Sequence, residues 1–504
     1  MEHFDVVIVG AGLSGIGAGV HLRRKCPGKS FVLLEARDTI GGTWDLFRYP
    51  GVRSDSDMHT LGYGFKPWRA AKAIADGPAI LEYVKEAARE HGIDRRIRYR
   101  HRLKKADWSG EHSAWTLEIE RADSGETVRM TCNFLYMCAG YYSYRAGYTP
   151  EFAGRERFKG PIVHPQAWDE KLDFAGKRIV VIGSGATSMT LVPALARTAA
   201  RVVLLQRSPT YVVSRPDRDE IANFLRKVLP ERWAYAITRW KNVDFQQRVY
   251  RRTRTDPEFV KKRLLDMVRA ELGPAYDVDT HFTPRYNPWD QRLCLIPNSD
   301  LFDAIRSGKA SVVTGVIDRF TEKGIRLESG DELEADIIVT ATGLNLALLG
   351  EAQIRMAGEP VDLSAKWTYK GLMYSDVPNL VATFGYINAS WTLRADLTAE
   401  YVCRLLKHME KRGASQVTPR LRPGDAGMPA RPWIDSFSSG YVRRAMQHFP
   451  KQGDREPWMN PQNYKLDRAM IRNGALEDGV LQFTTPASST RARAFAAEDS
   501  TLAA

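Results

Sequence analysis

The apolar positions of this chain form short runs separated by glycine-rich turns and by stretches with helical spacing. Residues 4–9 are a β-branched run, the glycine-rich turn 10–15 follows, and helical spacing continues to about residue 24. The next apolar run, residues 30–34, ends at Glu35. Strand, glycine turn, helix and strand in this order are typical of a dinucleotide-binding βαβ unit. The chain is therefore predicted to be an α/β protein.

The same pattern recurs further along the chain. Residues 177–182 and residues 201–206 are predicted strands, with apolar residues at 179–182 and at 202–205. Between them lies the turn 183–188, in which Ser188 stands where the first turn has its third glycine. We expect two Rossmann-like dinucleotide-binding domains in a mixed α/β fold, with a helical insertion in the second.

The residues that follow the second strand of each unit differ in charge. Glu35 follows it in the first unit, and Arg207 follows it in the second. A carboxylate accepts hydrogen bonds from a ribose diol and repels a 2′-phosphate, which fits FAD or NAD. A guanidinium fits the 2′-phosphate of NADP, although a surface arginine at a strand end is the alternative. The predicted cofactor-binding residues are Gly10, Gly12, Ser14, Gly15 and Glu35 in the first unit, and Gly183, Ser184, Gly185, Ala186, Thr187, Ser188, Arg207 and Ser208 in the second.

The loop at residues 41–55 has an unusual composition for a structural loop. It combines tryptophan, tyrosine, two arginines and two aspartates with three glycines and a proline. Such a loop is either ordered by a ligand or forms the wall of its site, and the alternative is a surface loop held by its aromatic residues. Further cofactor contacts are predicted at Thr43, Trp44, Asp45 and Leu46, and at the backbone of Leu103.

Composition narrows the class of protein. With 504 residues, 43% hydrophobic and 26% charged, the chain has the composition of a globular protein with about two to four domains. The net charge is +13, but the basic residues are dispersed, so nucleic acid is not an expected partner, while a weak attraction to a membrane surface stays open. We expect a cytoplasmic protein, because no apolar run is long enough to cross a bilayer and the N-terminus lacks the features of a signal peptide.

The five cysteines contain no C-x-x-C pair, which indicates neither a disulfide framework nor a metal site. A flavoprotein reductase that works through a dithiol is therefore excluded. Two sites of opposite cofactor preference indicate that NADPH gives a hydride to a flavin. The final electron acceptor is then O2 or a diffusible molecule.

Two signatures connect these sites to a known family. One is Phe158-x-Gly160-x-x-x-His164-x-x-x-Trp168-Asp169, and the other is the loop 41–55 with its Gly-Gly-x-Trp start and Tyr-Pro-Gly centre. Together they resemble the type I Baeyer–Villiger monooxygenases, over residues 1 to about 480. The resemblance implies FAD, NADPH and O2 as reactants, a C4a-peroxyflavin as the oxidant, and a ketone that becomes an ester or lactone.

The resemblance also implies roles for individual residues. Arg292 matches the arginine that stabilises negative charge near the flavin, and Asp55 matches the carboxylate that orients it. Arg53 and Ser54 are expected to contact the nicotinamide cofactor. Gln291 stands where many members carry a lysine that helps to hold the 2′-phosphate. The signature residues Phe158, Gly160, His164, Trp168 and Asp169 are expected to form a hinge.

Alternatives stay open at the level of the sequence. Arg292 could be a structural ion-pair residue, and Asp55 could be only a flavin ligand. A heteroatom oxygenase that attacks sulfides, thioamides or amines is the main alternative function, and a flavin-bound NADPH sensor without oxygenation is the second. The substrate is expected to be a small ketone or sulfide, in a pocket shaped by the helical insertion, Trp391 and residues 435–450.

The predicted organisation has six parts. They are an FAD-binding domain at 1–145, a linker with the signature at 146–176, an NADP-binding domain at 177–218 and 285–375, a helical insertion at 219–284, a return to the first domain with pocket segments at 376–484, and a disordered tail at 485–504.

Overall fold

The computed structural model describes residues 1–485, so the predicted tail lies outside the described residues from position 486 onward. All five cysteines fall within this range and are buried free thiols. No helix among the described residues is long and apolar enough to cross a membrane.

The first glycine turn belongs to a large mixed sheet. Its central strand, Glu2–Val9, pairs in parallel with Phe31–Leu34 on one side and with Thr127–Met137 on the other. Val6, Val7 and Ile8 are fully buried, as expected for a strand covered on both faces. Across the sheet, the strands follow the order Glu359–Pro360, Gln353–Met356, His101–Ser109, Ala114–Arg121, Thr127–Met137, Glu2–Val9, Phe31–Leu34 and Ile97–Arg98, and Leu380–Ala382 also pairs with Thr127–Met137.

The second glycine turn belongs to a parallel sheet. Its strands follow the order Ala310–Thr314, Arg201–Gln206, Arg178–Ile182, Ile337–Thr340 and Ile162–Val163. Separate apolar clusters cover its two faces, one around Val181 and Leu204 and the other around Val180 and Leu205. The edge strand Ile162–Val163 comes from the middle of the Phe158–Asp169 signature, which is thus attached to this sheet.

Smaller strand pairs complete the β-structure. A hairpin of three strands packs against the second sheet, and four further strand pairs lie outside the two large sheets in the described residues. The bounds are Ile317–Phe320, Gly324–Leu327 and Glu332–Glu334 in the hairpin, and Val212–Arg215 with Cys294–Pro297, Thr368–Tyr369 with Met373–Tyr374, Gln416–Pro419 with Leu481–Thr484, and Arg431–Pro432 with Lys451–Gln452 in the pairs.

Each glycine turn leads directly into a helix. Leu13–Lys25 follows the first and Ala186–Leu195 follows the second. A later helix, Trp391–Lys411, lies in the segment that returns to the first domain. The remaining α-helices are Thr43–Leu46, Met58–Leu61, Gly77–Glu90, Glu220–Val228, Glu231–Thr255, Pro257–Leu272, Val278–Phe282, Asp300–Arg306, Gly440–Ala445 and Tyr464–Asp467, with short 3₁₀ turns at Asp94–Arg96, Arg155–Arg157, Pro165–Ala167, Leu349–Glu351, Leu363–Ala365, Pro423–Asp425 and Met446–His448 and a π-helical turn at Arg468–Asn473.

The long helix Glu231–Thr255 crosses from the second domain to the first. Its Arg239 guanidinium donates hydrogen bonds to the backbone oxygens of His59 at 2.9 Å and Gly62 at 2.7 Å. The Tyr235 hydroxyl donates to the Tyr63 oxygen at 2.9 Å. These contacts hold the helical segment against residues 59–63 of the first domain.

Candidate active site

A cavity of about 1430 Å³ lies between the two glycine turns. Pockets that bind one small molecule usually measure about 300–1000 Å³, so this volume is sufficient for more than one ligand. Its walls come from both turns, the loop 41–55, the segment with Arg292, the start of helix Trp391–Lys411 and helix Gly440–Ala445. The helical insertion 219–284, expected to shape the pocket, contributes no lining residue in the described part of the chain, because its inner face packs on residues 59–63.

The first glycine turn lies in the cavity wall at the N-terminus of a helix. Helix Leu13–Lys25 starts at Gly12 without a side-chain cap and without an acidic residue in its first turn. A Cβ at Gly15 would lie 1.8 Å from the Gly10 oxygen, and one at Gly10 would lie 2.5 Å from the Cys138 oxygen. The uncapped N-terminus and the tight turn fit a diphosphate group.

Glu35 is fixed by backbone donors beside this turn. The Ala11 N–H donates to Oε2 at 2.8 Å, and the Arg37 N–H donates to Oε1 at 3.0 Å. Burial raises the pKa of Glu35 despite these hydrogen bonds. Each carboxylate oxygen keeps a lone pair that could accept from a ribose hydroxyl.

The second glycine turn has the same construction. Helix Ala186–Leu195 starts at Gly185 without a side-chain cap or an acidic first turn, and a Cβ at Gly183 would lie 2.4 Å from the Ala341 oxygen. The Ser184 hydroxyl donates to the Ser208 oxygen at 2.9 Å. Arg207 and Ser208 line the cavity, and the Arg207 guanidinium has no ion pair with any residue from 1 to 485. This cation is therefore available for a phosphate.

Arg292 and Asp55 meet on the cavity wall, although 237 positions separate them. The Arg292 Nε–H donates to Asp55 Oδ2 at 2.9 Å, and a second guanidinium nitrogen donates to the same oxygen. The remaining nitrogen donates to the Ile387 oxygen at 2.5 Å. Burial lowers the pKa of Arg292, but the charge and hydrogen bonds of Asp55 outweigh it, so the pKa is raised. The side chains are 28% and 31% exposed, so the pair is accessible from the cavity.

The loop 41–55 is held from several sides. The Tyr142 hydroxyl donates to Thr43 Oγ1 at 2.6 Å, and the Asp45 carboxylate is buried between Arg37 and Arg48, each at 2.6 Å. Thr43 and Trp44 line the cavity. Four residues predicted to bind cofactor are not part of the cavity lining, namely Gly15, Asp45, Leu46 and Ser188, whereas Leu103 is.

Arg53 and Ser54 lie at the junction of the domains. The Arg53 guanidinium contacts both Asp300 oxygens, at 2.5 and 3.3 Å, at the start of helix Asp300–Arg306. The Ser54 hydroxyl donates to the Ser56 oxygen at 2.7 Å. Both residues line the cavity beside Asp55. The loop of the first domain is thus tied to the second domain next to the Arg292–Asp55 pair.

The Phe158–Asp169 signature does not line the cavity. Phe158 packs in the cluster around Val180, and Trp168 packs in the cluster that also contains Tyr49 from the loop. A Cβ at Gly160 would lie 2.3 Å from the Asp336 oxygen, and the Asp169 carboxylate accepts from the Lys171 N–H at 2.9 Å. These residues can therefore act on the cavity only through the segments they connect.

His164 makes the most specific of these connections. Its Nδ1 accepts from the Gln166 N–H at 3.1 Å, so the Nε2–H donates to the Gly343 oxygen at 3.1 Å. A Cβ at Gly147 would lie 1.8 Å from the imidazole ring, and the Gln166 side chain donates to the Ser143 oxygen at 2.8 Å. The neutral imidazole thereby joins the signature to the segments around Gly147 and Gly343.

The pH dependence of stability should report this hydrogen-bonding state. Burial lowers the pKa of His164. The folded protein therefore favours the neutral imidazole. Its contribution to the free energy of unfolding is complete above the pKa of histidine in the unfolded chain, about 6.5. This contribution is lost as the pH falls towards the lower pKa of His164 in the folded protein. Thermal unfolding is measured at about pH 7.5 and about pH 5.5. Between these pH values, the free energy of unfolding should change less in His164→Gln than in the wild type, by up to about 1 kcal/mol. Identical pH effects in both proteins would refute this role.

A cluster of tyrosine residues near the cavity was not among the predicted site residues, whereas Trp391 beside it was predicted to shape the pocket. Tyr141, Tyr142, Tyr144 and Tyr148 line it directly after the first sheet, and the repeated tyrosines of residues 141–148 were the available signal. Burial raises the pKa of Tyr144 to about 12. The indole of Trp391 stacks on Tyr141 with ring centroids 5.0 Å apart and donates to Ser14 Oγ at 2.8 Å. These rings give the cavity an apolar wall next to the first glycine turn.

Comparison with known proteins identifies similar chains and folds. A family described as flavin-binding monooxygenase-like matches residues 74–265, and an NAD(P)-binding Rossmann-like domain matches residues 8–76. The FAD-containing monooxygenase EthA of Mycolicibacterium smegmatis is 55% identical over 484 residues, which is 96% of this chain and 97% of that protein. EthA of Mycobacterium tuberculosis is 55% identical over 483 residues, covering 96% and 98%. An oxidised steroid monooxygenase bound to NADP shares the fold, with a TM-score of 0.74, 24% identity and coverage of 95% and 99%.

Proposed function

This chain belongs to the FAD-containing, flavin-binding monooxygenases, and we propose that it uses NADPH and O2 to convert ketones into esters or lactones. The predicted family resemblance, the α/β fold class and the prediction of a flavoprotein monooxygenase are confirmed by these relatives and folds. The two sequence segments 42–51 and 286–295, which resemble the ethionamide-activating monooxygenase, agree with this family membership.

The observation that carries the proposal is the Arg292–Asp55 pair in a cavity bordered by both dinucleotide turns. When bound, FAD supplies the redox and oxygen-activating chemistry. The first glycine turn would hold its diphosphate and Glu35 its ribose. The second turn, with Arg207 and Ser208, would hold NADPH.

The reaction inserts one oxygen atom between the carbonyl carbon and a neighbouring carbon of the ketone. Ketone, O2, NADPH and a proton give ester, NADP⁺ and water. The carbonyl oxygen of the ketone gains negative charge while the new C–O bond forms. We infer that the Arg292 guanidinium stabilises this charge, and that Asp55 holds the guanidinium in place, because a fixed donor in a partly dry site needs no reorganisation during the reaction.

The apolar wall has a complementary role in this proposal. Tyr141 and Trp391 place stacked aromatic rings on one side of the cavity. Exclusion of water favours oxygen transfer to the substrate over release of hydrogen peroxide. A small, largely apolar ketone fits these surroundings, and we propose the cytoplasm as the place of the reaction.

Glu35→Gln should weaken FAD binding by about tenfold or more. The amide NH₂ of glutamine would face a backbone N–H of Ala11 or Arg37, and one of these donors would lose its acceptor. Reconstitution of the apoprotein, followed by flavin fluorescence, measures the Kd for FAD. Glu334→Gln, at an exposed glutamate of the second domain, is the control, and equal Kd values for both variants would contradict the assignment.

Product analysis tests the function itself. The purified FAD-loaded protein is incubated with NADPH in air, with phenylacetone, a long-chain methyl ketone or methyl phenyl sulfide, and products are identified by mass spectrometry. The proposal predicts esters from the ketones, with sulfoxide as an additional product. Sulfoxide without any ester would support the alternative function, a heteroatom oxygenase, in place of the proposed one. Hydrogen peroxide as the sole product would contradict the proposal that the protein is an oxygenase.

A further inference from the structure

The outer face of the helical insertion exposes large apolar side chains that nothing in the described chain covers. Among residues 1–485, the exposed large apolar side chains lie in the insertion with the exception of Met1, Val316 and Leu466. Within residues 220–240, which cover helix Glu220–Val228 and the first part of helix Glu231–Thr255, they are Ile221 (56% exposed), Phe224 (61%), Val228 (56%), Trp233 (55%), Ile237 (41%) and Trp240 (66%).

These six side chains form one surface. In each helix they are spaced by three and four positions, which places them on one face. The two helices form an antiparallel hairpin, because residues 229–230 connect them at one end and Lys241 Nζ contacts the Asp219 carboxylate at 2.8 Å at the other. We call residues 219–241 the helical hairpin. Its inner face is buried through Ala234, Tyr235 and Thr238, so the apolar stripe faces away from the protein.

The connecting end of the helical hairpin is basic. Four basic residues lie there, namely Arg69, Arg226, Lys227 and Arg232. The Glu231 carboxylate pairs with Arg69 at 2.6 Å. Lys227 and Arg232 form no ion pair with any other residue in the part of the chain that the structure describes. The Arg232 guanidinium lies 5.6 Å from the centre of the Trp233 ring. Free cations therefore border exposed tryptophan and valine side chains.

We propose that the outer face of the helical hairpin docks on the surface of an anionic lipid membrane. Amphipathic helices with tryptophan and large aliphatic residues on one face and basic residues beside it bind in the interfacial layer of a bilayer. Tryptophan side chains prefer the headgroup level, and the free cations match anionic phosphates. Such binding requires no membrane-spanning helix. It is independent of which substrate the cavity accepts.

Vesicle sedimentation of the FAD-loaded protein tests this surface. The probes are vesicles of pure phosphatidylcholine and vesicles with equal parts of phosphatidylcholine and phosphatidylglycerol. The wild type should sediment with the anionic vesicles, and the double variant Trp233→Ser/Trp240→Ser should bind them roughly tenfold or more weakly. The double variant Lys227→Gln/Arg232→Gln should lose the preference for phosphatidylglycerol and the sensitivity to salt.

Controls separate this surface from general apolarity and from misfolding. Leu466→Ser removes a side chain with 55% exposure outside the helical hairpin and should bind vesicles like the wild type. FAD content and thermal unfolding establish that each variant is folded. Equal binding by the wild type and the tryptophan variant would overturn the proposal. The proposal would also be overturned if the wild type did not bind vesicles but formed a dimer in light scattering that the tryptophan variant did not form. The face would then bind a second copy of the chain.

Discussion

Arg292→Ala should lower ester formation by about 10²–10³-fold, while NADPH consumption continues and yields hydrogen peroxide. The guanidinium is already oriented before substrate binds, because Asp55 and the Ile387 oxygen engage all three of its nitrogens. Alanine removes the only charge that Asp55 pairs with in the described structure, so a free carboxylate would remain in the cavity wall. That carboxylate would oppose any negative charge that develops on the substrate.

Conservative and distant variants sharpen this test. Arg292→Lys keeps the charge but loses the planar fork, so most of the ester formation should be lost. Asp55→Asn keeps the size of the side chain and should reduce ester formation less than Arg292→Ala, since the guanidinium remains. Arg285→Ala, at an exposed arginine of the same segment outside the cavity, is the matched control. Wild-type ester yield in Arg292→Ala with full FAD content would exclude the proposed role.

Arg207→Ala should raise the KM for NADPH by roughly ten- to a hundredfold and leave the weaker use of NADH nearly unchanged. The guanidinium lines the cavity beside Ser208 without an ion pair in residues 1–485, and the only difference between the two cofactors is the 2′-phosphate. Gln291 lines the same cavity without a positive charge, so we expect Arg207 to recognise the 2′-phosphate without help from that position.

Steady-state kinetics with both cofactors provide the measurement. Arg201→Ala removes an exposed arginine from the other end of the same strand and should alter neither KM. If Arg207→Ala raised the KM for NADPH and NADH equally, the residue would contribute to general binding and not to the choice between them.

The glycine turns could be predicted because their signals are local. Strand, turn, helix and the charged residue at the next strand end lie within about thirty residues in each unit. The hydrogen bonds that hold the Glu35 carboxylate could not be predicted, because its partners are backbone N–H groups whose direction depends on the folded turn. Asp45 shows the same limit, since its position within the loop does not reveal that two arginines enclose it away from the cavity.

Contacts between residues that are distant in the sequence could not be predicted from the residue pattern alone. Arg292 and Asp55 lie in different predicted domains, and the family resemblance was the signal that paired them. The insertion is predicted to help shape the pocket, but none of its residues lines the cavity in the described part of the chain. Helical spacing does not say which neighbour covers a helix face, and here the outer face of the helical hairpin stays exposed.

The most direct test of the central claim is oxygen insertion from isotopically labelled O2. The FAD-loaded protein, NADPH and phenylacetone are incubated under labelled O2, and the ester is examined by mass spectrometry together with NADPH consumption. The proposed reaction predicts one labelled oxygen atom in each ester molecule and one NADPH consumed for each ester formed. Ester without label, or label found only in peroxide and water, would contradict a Baeyer–Villiger oxygenation at the Arg292–Asp55 site.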